Sequence, residues 1–158
     1  MREALFSIWA DRLDGARVLD LFAGSGVVGL EAFGRGALSA LFVDGSLRTV
    51  KTLEANAELL GVKVQIRKLS LPEGLSRLRG PFDLVFADPP YTFRDHAALL
   101  AGIAPLLGRD GEIVVEHSSR TELPLENGPL VRTEVRKYGD SALSFFRRDS
   151  SEAGSSQE

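Results

Sequence analysis

The chain has 158 residues, 44% of them apolar and 26% charged, which is enough for one buried core and too little for two full domains. It has no cysteine, which excludes a disulfide framework, a thiolate metal site and a cysteine nucleophile, and suits a reducing compartment. Nineteen bases stand against 22 acids, and a net charge of -3 argues against the clustered cations that a nucleic-acid partner needs.

In chain order, Met1 to Phe6 is too acidic and too quickly amphipathic for a signal peptide, and no apolar run reaches the roughly 18 residues of a membrane span. A soluble, cytoplasmic protein with no membrane partner is expected. Leu5, Ile8, Trp9 and Leu13 recur at helical spacing before the stop signal Asp14-Gly15. Arg17 to Leu21 reads as a buried strand running into Phe22-Ala23-Gly24-Ser25-Gly26, with a short helix from Val27 to Arg35. Ala40 to Val43 is a second strand, and Leu47, Val50, Leu53, Ala57 and Leu60 mark a helix ended by Gly61. A third strand (62–66), a short helix (72–78), a fourth strand (82–86), a helix (95–107) and a fifth strand (112–115) continue the alternation. Such alternation builds βαβ units, so the expected class is α/β, doubly wound around a mostly parallel sheet. Beyond Pro124 the runs 130–137 and 142–148, joined by Tyr138-Gly139-Asp140-Ser141, read as an antiparallel hairpin.

Residues 149–158 are almost all small polar or acidic, cannot repay their ordering entropy, and are expected to form a disordered tail. Three acids and no base lie there, which leaves a single domain, 1–148, with equal numbers of acids and bases. The charge deficit belongs to the tail, and it predicts weak nucleic-acid affinity rather than none.

Gly24-Ser25-Gly26-Val27-Val28-Gly29 matches G-x-G-x-x-G between a strand and a helix, where glycines let a ligand approach backbone N–H groups. Asp20 ends the strand where a dinucleotide diphosphate would meet an unfavourable charge and a cation a favourable one. Asp44 ends the second strand about 20 residues on, placed to accept bonds from ribose hydroxyls. A ribose-bearing cation without a diphosphate satisfies both, and S-adenosylmethionine is one.

Asp88-Pro89-Pro90-Tyr91 follows the fourth strand. The prolines force an extended turn without N–H donors, so carbonyls face outside partners. Asp88 and the Pro89 carbonyl can accept the two N–H bonds of an aromatic amine while Tyr91 stacks on its ring. Strands one and four should adjoin, so that amine and cofactor share one crevice. His96 and His117, the only histidines, read as structural and build no metal site; Glu116 can face the crevice, and Arg94 lies beside the proposed base pocket.

Taken together, Asp20-x-Phe22-x-Gly24-x-Gly26-x-x-Gly29, Asp44 and Asp88-Pro89-Pro90-Tyr91 resemble the class I S-adenosylmethionine-dependent methyltransferases that alkylate exocyclic base amines. Arg2-Glu3-Ala4-Leu5-Phe6, the strand-and-loop run from Val18 to Gly26, Leu84 to Tyr91 and Lys137-Tyr138-Gly139 resemble more narrowly the RsmD family, which methylates guanine N2 in 16S ribosomal RNA. The resemblance covers residues 1–148 and implies a seven-stranded Rossmann-like methyltransferase sheet ending in the hairpin. It implies that Asp20, Phe22, Gly24, Ser25 and Gly26 line the methionine part of the cofactor. Asp44 would take the ribose, with mostly backbone contacts to adenine around Ser70, and Asp88, Pro89, Pro90 and Tyr91 would hold the guanine. The partner implied is ribosomal RNA or the small subunit, met by a monomer. Family members usually carry a basic arm before the first helix, and this chain begins at that helix. The alternatives are methylation of adenine N6 or another amine, a dinucleotide-dependent oxidoreductase, which leaves Asp20 and Asp88 to Tyr91 unexplained, and an inactive RNA-binding module.

Overall fold

The computed structural model describes residues 1–150. The chain forms α1 (Arg2–Trp9), β1 (Arg17–Leu21), α2 (Val27–Gly34), β2 (Ser39–Asp44), α3 (Leu47–Leu60), β3 (Gln65–Lys68), β4 (Phe82–Ala87), α4 (His96–Ile103), β5 (Leu107–Ser118), β6 (Glu126–Asn127), β7 (Leu130–Tyr138) and β8 (Ser141–Arg148). One eight-stranded sheet runs in the order β3-β2-β1-β4-β5-β8-β7-β6. Strands β1 to β5 pair in parallel, β8 lies antiparallel on β5, and β7 and β6 extend that edge. The chain leaves β1 outward through β2 and β3, then crosses back to β4. A crevice therefore opens where the carboxyl ends of β1 and β4 meet.

Alternate residues of the central strands face opposite layers, as a two-residue period requires. Val18, Phe42, Leu84 and Val114 pack with Leu5, Phe6 and Trp9 of α1 and Leu53 of α3. Leu19, Val85, Ile113 and Val115 pack with Leu99, Leu100 and Ile103 of α4. Two buried acids face the first layer, Asp20 and Glu112; Glu112, 5% exposed, accepts from Trp9 Nε1 and from Arg147 Nε, each at 3.1 Å, and lies 3.7 Å from Arg12 Nη1. Its charge is paired, which is the condition for burying a carboxylate at all.

Several expected boundaries move, and each has a local cause. The sheet has eight strands rather than seven, because Glu126 and Asn127 pair with Val131 and Leu130 across the Gly128-Pro129 turn. The third strand begins at Gln65 rather than Val62, whose N–H still closes α3 on the Ala57 carbonyl at 3.1 Å. The helix expected to reach residue 107 stops at Ile103, two residues before Pro105, and a 3-10 turn takes over. Residues 73–77 form a 3-10 turn as well. Strand β5 outruns its apolar stretch, since backbone pairing of Leu107 with Phe82 and of Ser118 with Ser141 needs no apolar side chain. Of the expected tail, Asp149 donates its N–H to the Pro129 carbonyl at 2.8 Å, and 151–158 lie outside the described residues.

Candidate active site

Three glycines of the loop after β1 do different work. A Cβ at Gly26 would sit 2.0 Å from Leu53 Cδ1, and one at Gly29 would sit 2.3 Å from the Phe42 ring, so both are kept bare by helix-to-sheet packing. Gly24, at φ +58°, has no atom within 4 Å of where its Cβ would be, so its backbone is open on that side. Phe22, at φ +56°, is the only described non-glycine residue with positive φ; it is held there as the chain turns off the strand.

Two aspartates tie this loop down. Asp20, buried at the end of β1, accepts the N–H of Gly29 at 3.0 Å. Burial, reinforced by the charges of Asp88 and Asp44, pushes its carboxyl up to about 8, against the pull of the Gly29 bond. Asp44 accepts from Gly24 N–H at 3.1 Å through Oδ2 and from Ser46 N–H at 3.0 Å through Oδ1. Each oxygen keeps a lone pair for a further donor. Ser70, exposed beyond β3, has its Cα 3.8 Å from where a Cβ on Gly45 would be, on the rim next to Asp44. Ser25 is exposed, and its carbonyl accepts from Asn56 Nδ2 at 2.9 Å.

Asp88 N–H donates to the Leu21 carbonyl at 3.3 Å, which joins the turn after β4 to the end of β1. Asp88, Pro89, Pro90 and Tyr91 together line a cavity of about 290 Å³ that Glu116 and His117 also line. Asp88 stands at the mouth, open on one side; desolvation on the other, and then the charge of Glu116, push its carboxyl up to about 6. Tyr91 is 68% exposed, a flat ring presented rather than packed. Arg94 Nη1 donates to the Tyr91 carbonyl at 2.7 Å and the Phe93 carbonyl at 3.2 Å, so it braces this turn.

The sequence reading did not anticipate Phe93, nor the histidines as wall residues. Phe22, Phe93, His96 and His117 form a chain of edge-on rings at centroid spacings of 5.5, 5.1 and 6.5 Å, running from the glycine loop to the cavity. The signal was Phe93 and His96 at a three-residue spacing just past Tyr91. His117 Nδ1 lies 2.8 Å from the Ser118 carbonyl, which can only accept, so Nδ1 carries the proton. Nε2, 2.7 Å from Ser144 Oγ, is free to accept from that hydroxyl, and burial lowers the ring's basicity further. The ring is a neutral, held wall. Among the described residues no cluster of acids and histidines could hold a metal ion, and no helix is long and apolar enough to cross a membrane.

The family described as Conserved hypothetical protein 95 matches residues 1–147. The "Putative rRNA methyltransferase YlbH" of Bacillus subtilis (strain 168) is 34% identical over 155 residues, 94% of this chain and 84% of that protein. The chain belongs to the RsmD family of methyltransferases. The Ribosomal RNA small subunit methyltransferase D of Escherichia coli (strain K12) is 32% identical over 129 residues, 81% of this chain and 63% of that protein. A solved Streptococcus pyogenes structure, described as a conserved hypothetical protein, superposes with a TM-score of 0.86 at 30% identity, covering 95% of this chain and 96% of that one. In this RsmD-family chain the Asp88–Leu21 backbone bond brings the two motif clusters to adjoining strand ends: Asp44 and the buried Asp20 hold the glycine loop, and Asp88 to Tyr91 line the neighbouring cavity.

Proposed function

We propose that the chain binds S-adenosylmethionine at the loop after β1 and methylates the exocyclic N2 amine of a guanine in small-subunit ribosomal RNA. The observation that carries this reading is the meeting of two subsites: Asp88 N–H donates to the Leu21 carbonyl at 3.3 Å, one residue past Asp20, so the Asp20–Asp44 cradle and the Asp88 pocket adjoin at the ends of β1 and β4. The cradle suits a cationic nucleoside. Its open side at Gly24 admits a ligand against backbone, Asp44 has lone pairs left for ribose hydroxyls, and Asp20 with Asp88 supplies negative charge beside a sulfonium. The same acids disfavour the diphosphate of a dinucleotide. The relatives add the polymer, since two carry ribosomal RNA in their names.

When bound, the cofactor supplies an electrophilic methyl group that passes directly to the amine, the S–CH3 bond breaking as the N–CH3 bond forms. The chain contributes position and electrostatics. Asp88 and the Pro89 carbonyl accept the two amine N–H bonds and turn the nitrogen lone pair out of the ring's conjugation. Positive charge grows on that nitrogen beside Asp88, and the extra proton leaves to solvent. Tyr91 offers its face to the base once it is unstacked from the RNA.

Tritiated methyl transfer onto small subunits lacking their native methylations, followed by nucleoside identification, tests the proposal. N2-methylguanosine is the expected product. Methyl on adenine, or none with cofactor bound, overturns it.

A further inference from the structure

Strand β5 carries two glutamates on the same face, and they differ in one respect. Glu112 is closed off by Trp9, Arg147 and Arg12. Glu116, four residues on at the carboxyl end, is half-buried, and its side chain has no hydrogen-bond or ion-pair partner among the described residues. A half-buried carboxylate on a cavity wall with no protein donor keeps its accepting capacity for a ligand that enters the cavity. The register shows where that ligand would be: Ala87 of β4 pairs with Val115 of β5, so the next step along the two parallel strands sets Asp88 beside Glu116. The two share one face, both contribute to the same cavity, and each lies within range of the other's charge. On its other side Glu116 is paired with Leu143, which holds its backbone in the middle of the sheet.

We infer that Glu116 is the residue that selects guanine, by accepting the ring N1–H next to the amine that Asp88 and the Pro89 carbonyl hold. This rests on the proposed methylation of guanine N2 and names the residue that reads the base. Guanine is the one base of RNA whose amine adjoins a ring N–H. Its three adjacent donors, one N1–H and two on N2, meet three acceptors: Glu116, Asp88 and the Pro89 carbonyl. The amines of adenine and cytosine adjoin a ring nitrogen lone pair instead. There a carboxylate faces a lone pair, loses its only donor and stays desolvated, and sites built around a hydrogen bond discriminate strongly against analogues that lack it. Burial raises the Glu116 carboxyl, and the chain's amino group opposes that rise. An N–H donor from the base would favour the ionised form.

The test uses 2-aminopurine, which keeps the N2 amine and has an acceptor at N1. Once the target nucleotide has been mapped, RNA or subunits carrying guanine or 2-aminopurine there are compared with the wild-type chain, Glu116→Gln and Glu116→Ala. The wild type should prefer guanine by about 10- to 100-fold in kcat/KM, the range of one good base-reading contact. Both variants should lower that preference relative to the wild type by about the same 10- to 100-fold factor, and Glu116→Gln, whose amide can donate to N1, should shift it further toward 2-aminopurine than Glu116→Ala does. Comparing preferences cancels the different intrinsic reactivity of the two bases. Binding of S-adenosylhomocysteine confirms that each variant is folded, and Glu116→Ala serves if Glu116→Gln is not. A variant that slows both substrates equally and keeps the wild-type preference overturns the inference while leaving the methylation reading intact. No transfer to guanine by the wild type overturns the reading itself.

Discussion

Asp44 Oδ2 receives the backbone N–H of Gly24 at 3.1 Å, which fastens the end of β2 to the glycine loop across 20 residues of sequence. The same carboxylate also caps the turn at Ser46. It is therefore both a loop clamp and the acceptor proposed for the ribose. Asp44→Ala removes both roles and should weaken S-adenosylhomocysteine binding by at least about tenfold, since a charge-assisted hydrogen bond contributes about 1.5–3 kcal/mol. Asp44→Asn keeps one accepting oxygen and should fall between. Calorimetric titration of the three proteins checks the order, and equal affinities would remove Asp44 from the site.

The glycines separate packing from ligand approach. Gly29→Ala drives a methyl into the Phe42 ring and the Asp20 carboxylate, and should lower stability by about 1–3 kcal/mol, the usual cost of overpacking. Gly24→Ala meets no protein atom; its cost is the left-handed φ, on the order of 1 kcal/mol, while its methyl enters the space left for the cofactor. Urea unfolding should therefore rank Gly29→Ala as the less stable protein. Cofactor titration should rank Gly24→Ala as the poorer binder.

What the sequence made legible was chemistry tied to backbone necessity. Glycines after a strand, an acid at each strand end and two prolines in a row each constrain the main chain, so their spacing carried the crevice without a structure. The Glu112 cluster was not legible, because Trp9, Glu112 and Arg147 meet only when α1, β5 and β8 are folded together. The ring chain from Phe22 to His117 was hidden for the same reason, since it draws on three segments. Arg94 was read as lying beside the pocket; its guanidinium holds the carbonyls of Tyr91 and Phe93, a local bond that composition does not announce. Strand β6 was missed because two residues carry no periodicity.

Asp20 is raised to about 8 from an ordinary value of 3.8, so the folded chain without cofactor holds a proton there that the unfolded chain releases. Below pH 3.8 both states are protonated; as pH rises from there through 8, the folded state pays progressively for ionising a buried group. Stability should therefore fall across that window. Asp20→Asn, which keeps an oxygen for Gly29 N–H, should lose this slope and gain on the wild type as pH rises. Melting curves from pH 5 to 9 check it, and parallel curves for the two proteins would contradict it. A sulfonium beside Asp20 favours its ionised form, so S-adenosylmethionine should bind with proton release near pH 7 and the neutral S-adenosylhomocysteine with less. Calorimetry in buffers of different ionisation enthalpy measures that difference.

Ionised, Asp88 accepts the amine N–H most strongly and faces the positive charge that grows on the nitrogen; protonated, it loses that charge. Its carboxyl is raised to about 6, first by desolvation and then by Glu116. At pH 5 most of the chain would hold the protonated, accepting-impaired form, and at pH 7.5 nearly all would be ionised. The kcat/KM for methyl transfer should thus climb about tenfold per pH unit below 6 and level off above it. Asp88→Asn should flatten this limb at a lower plateau, and Glu116→Gln should move its midpoint downward by removing the neighbouring charge. Asp88→Ala should lose about 100-fold or more in activity, the scale set by removing one preorganised electrostatic group, while still binding S-adenosylhomocysteine. Rates measured with saturating cofactor from pH 4.5 to 8.5 test this directly: an Asp88→Asn profile with the wild-type limb would assign the ionisation elsewhere and take Asp88 out of the transfer step.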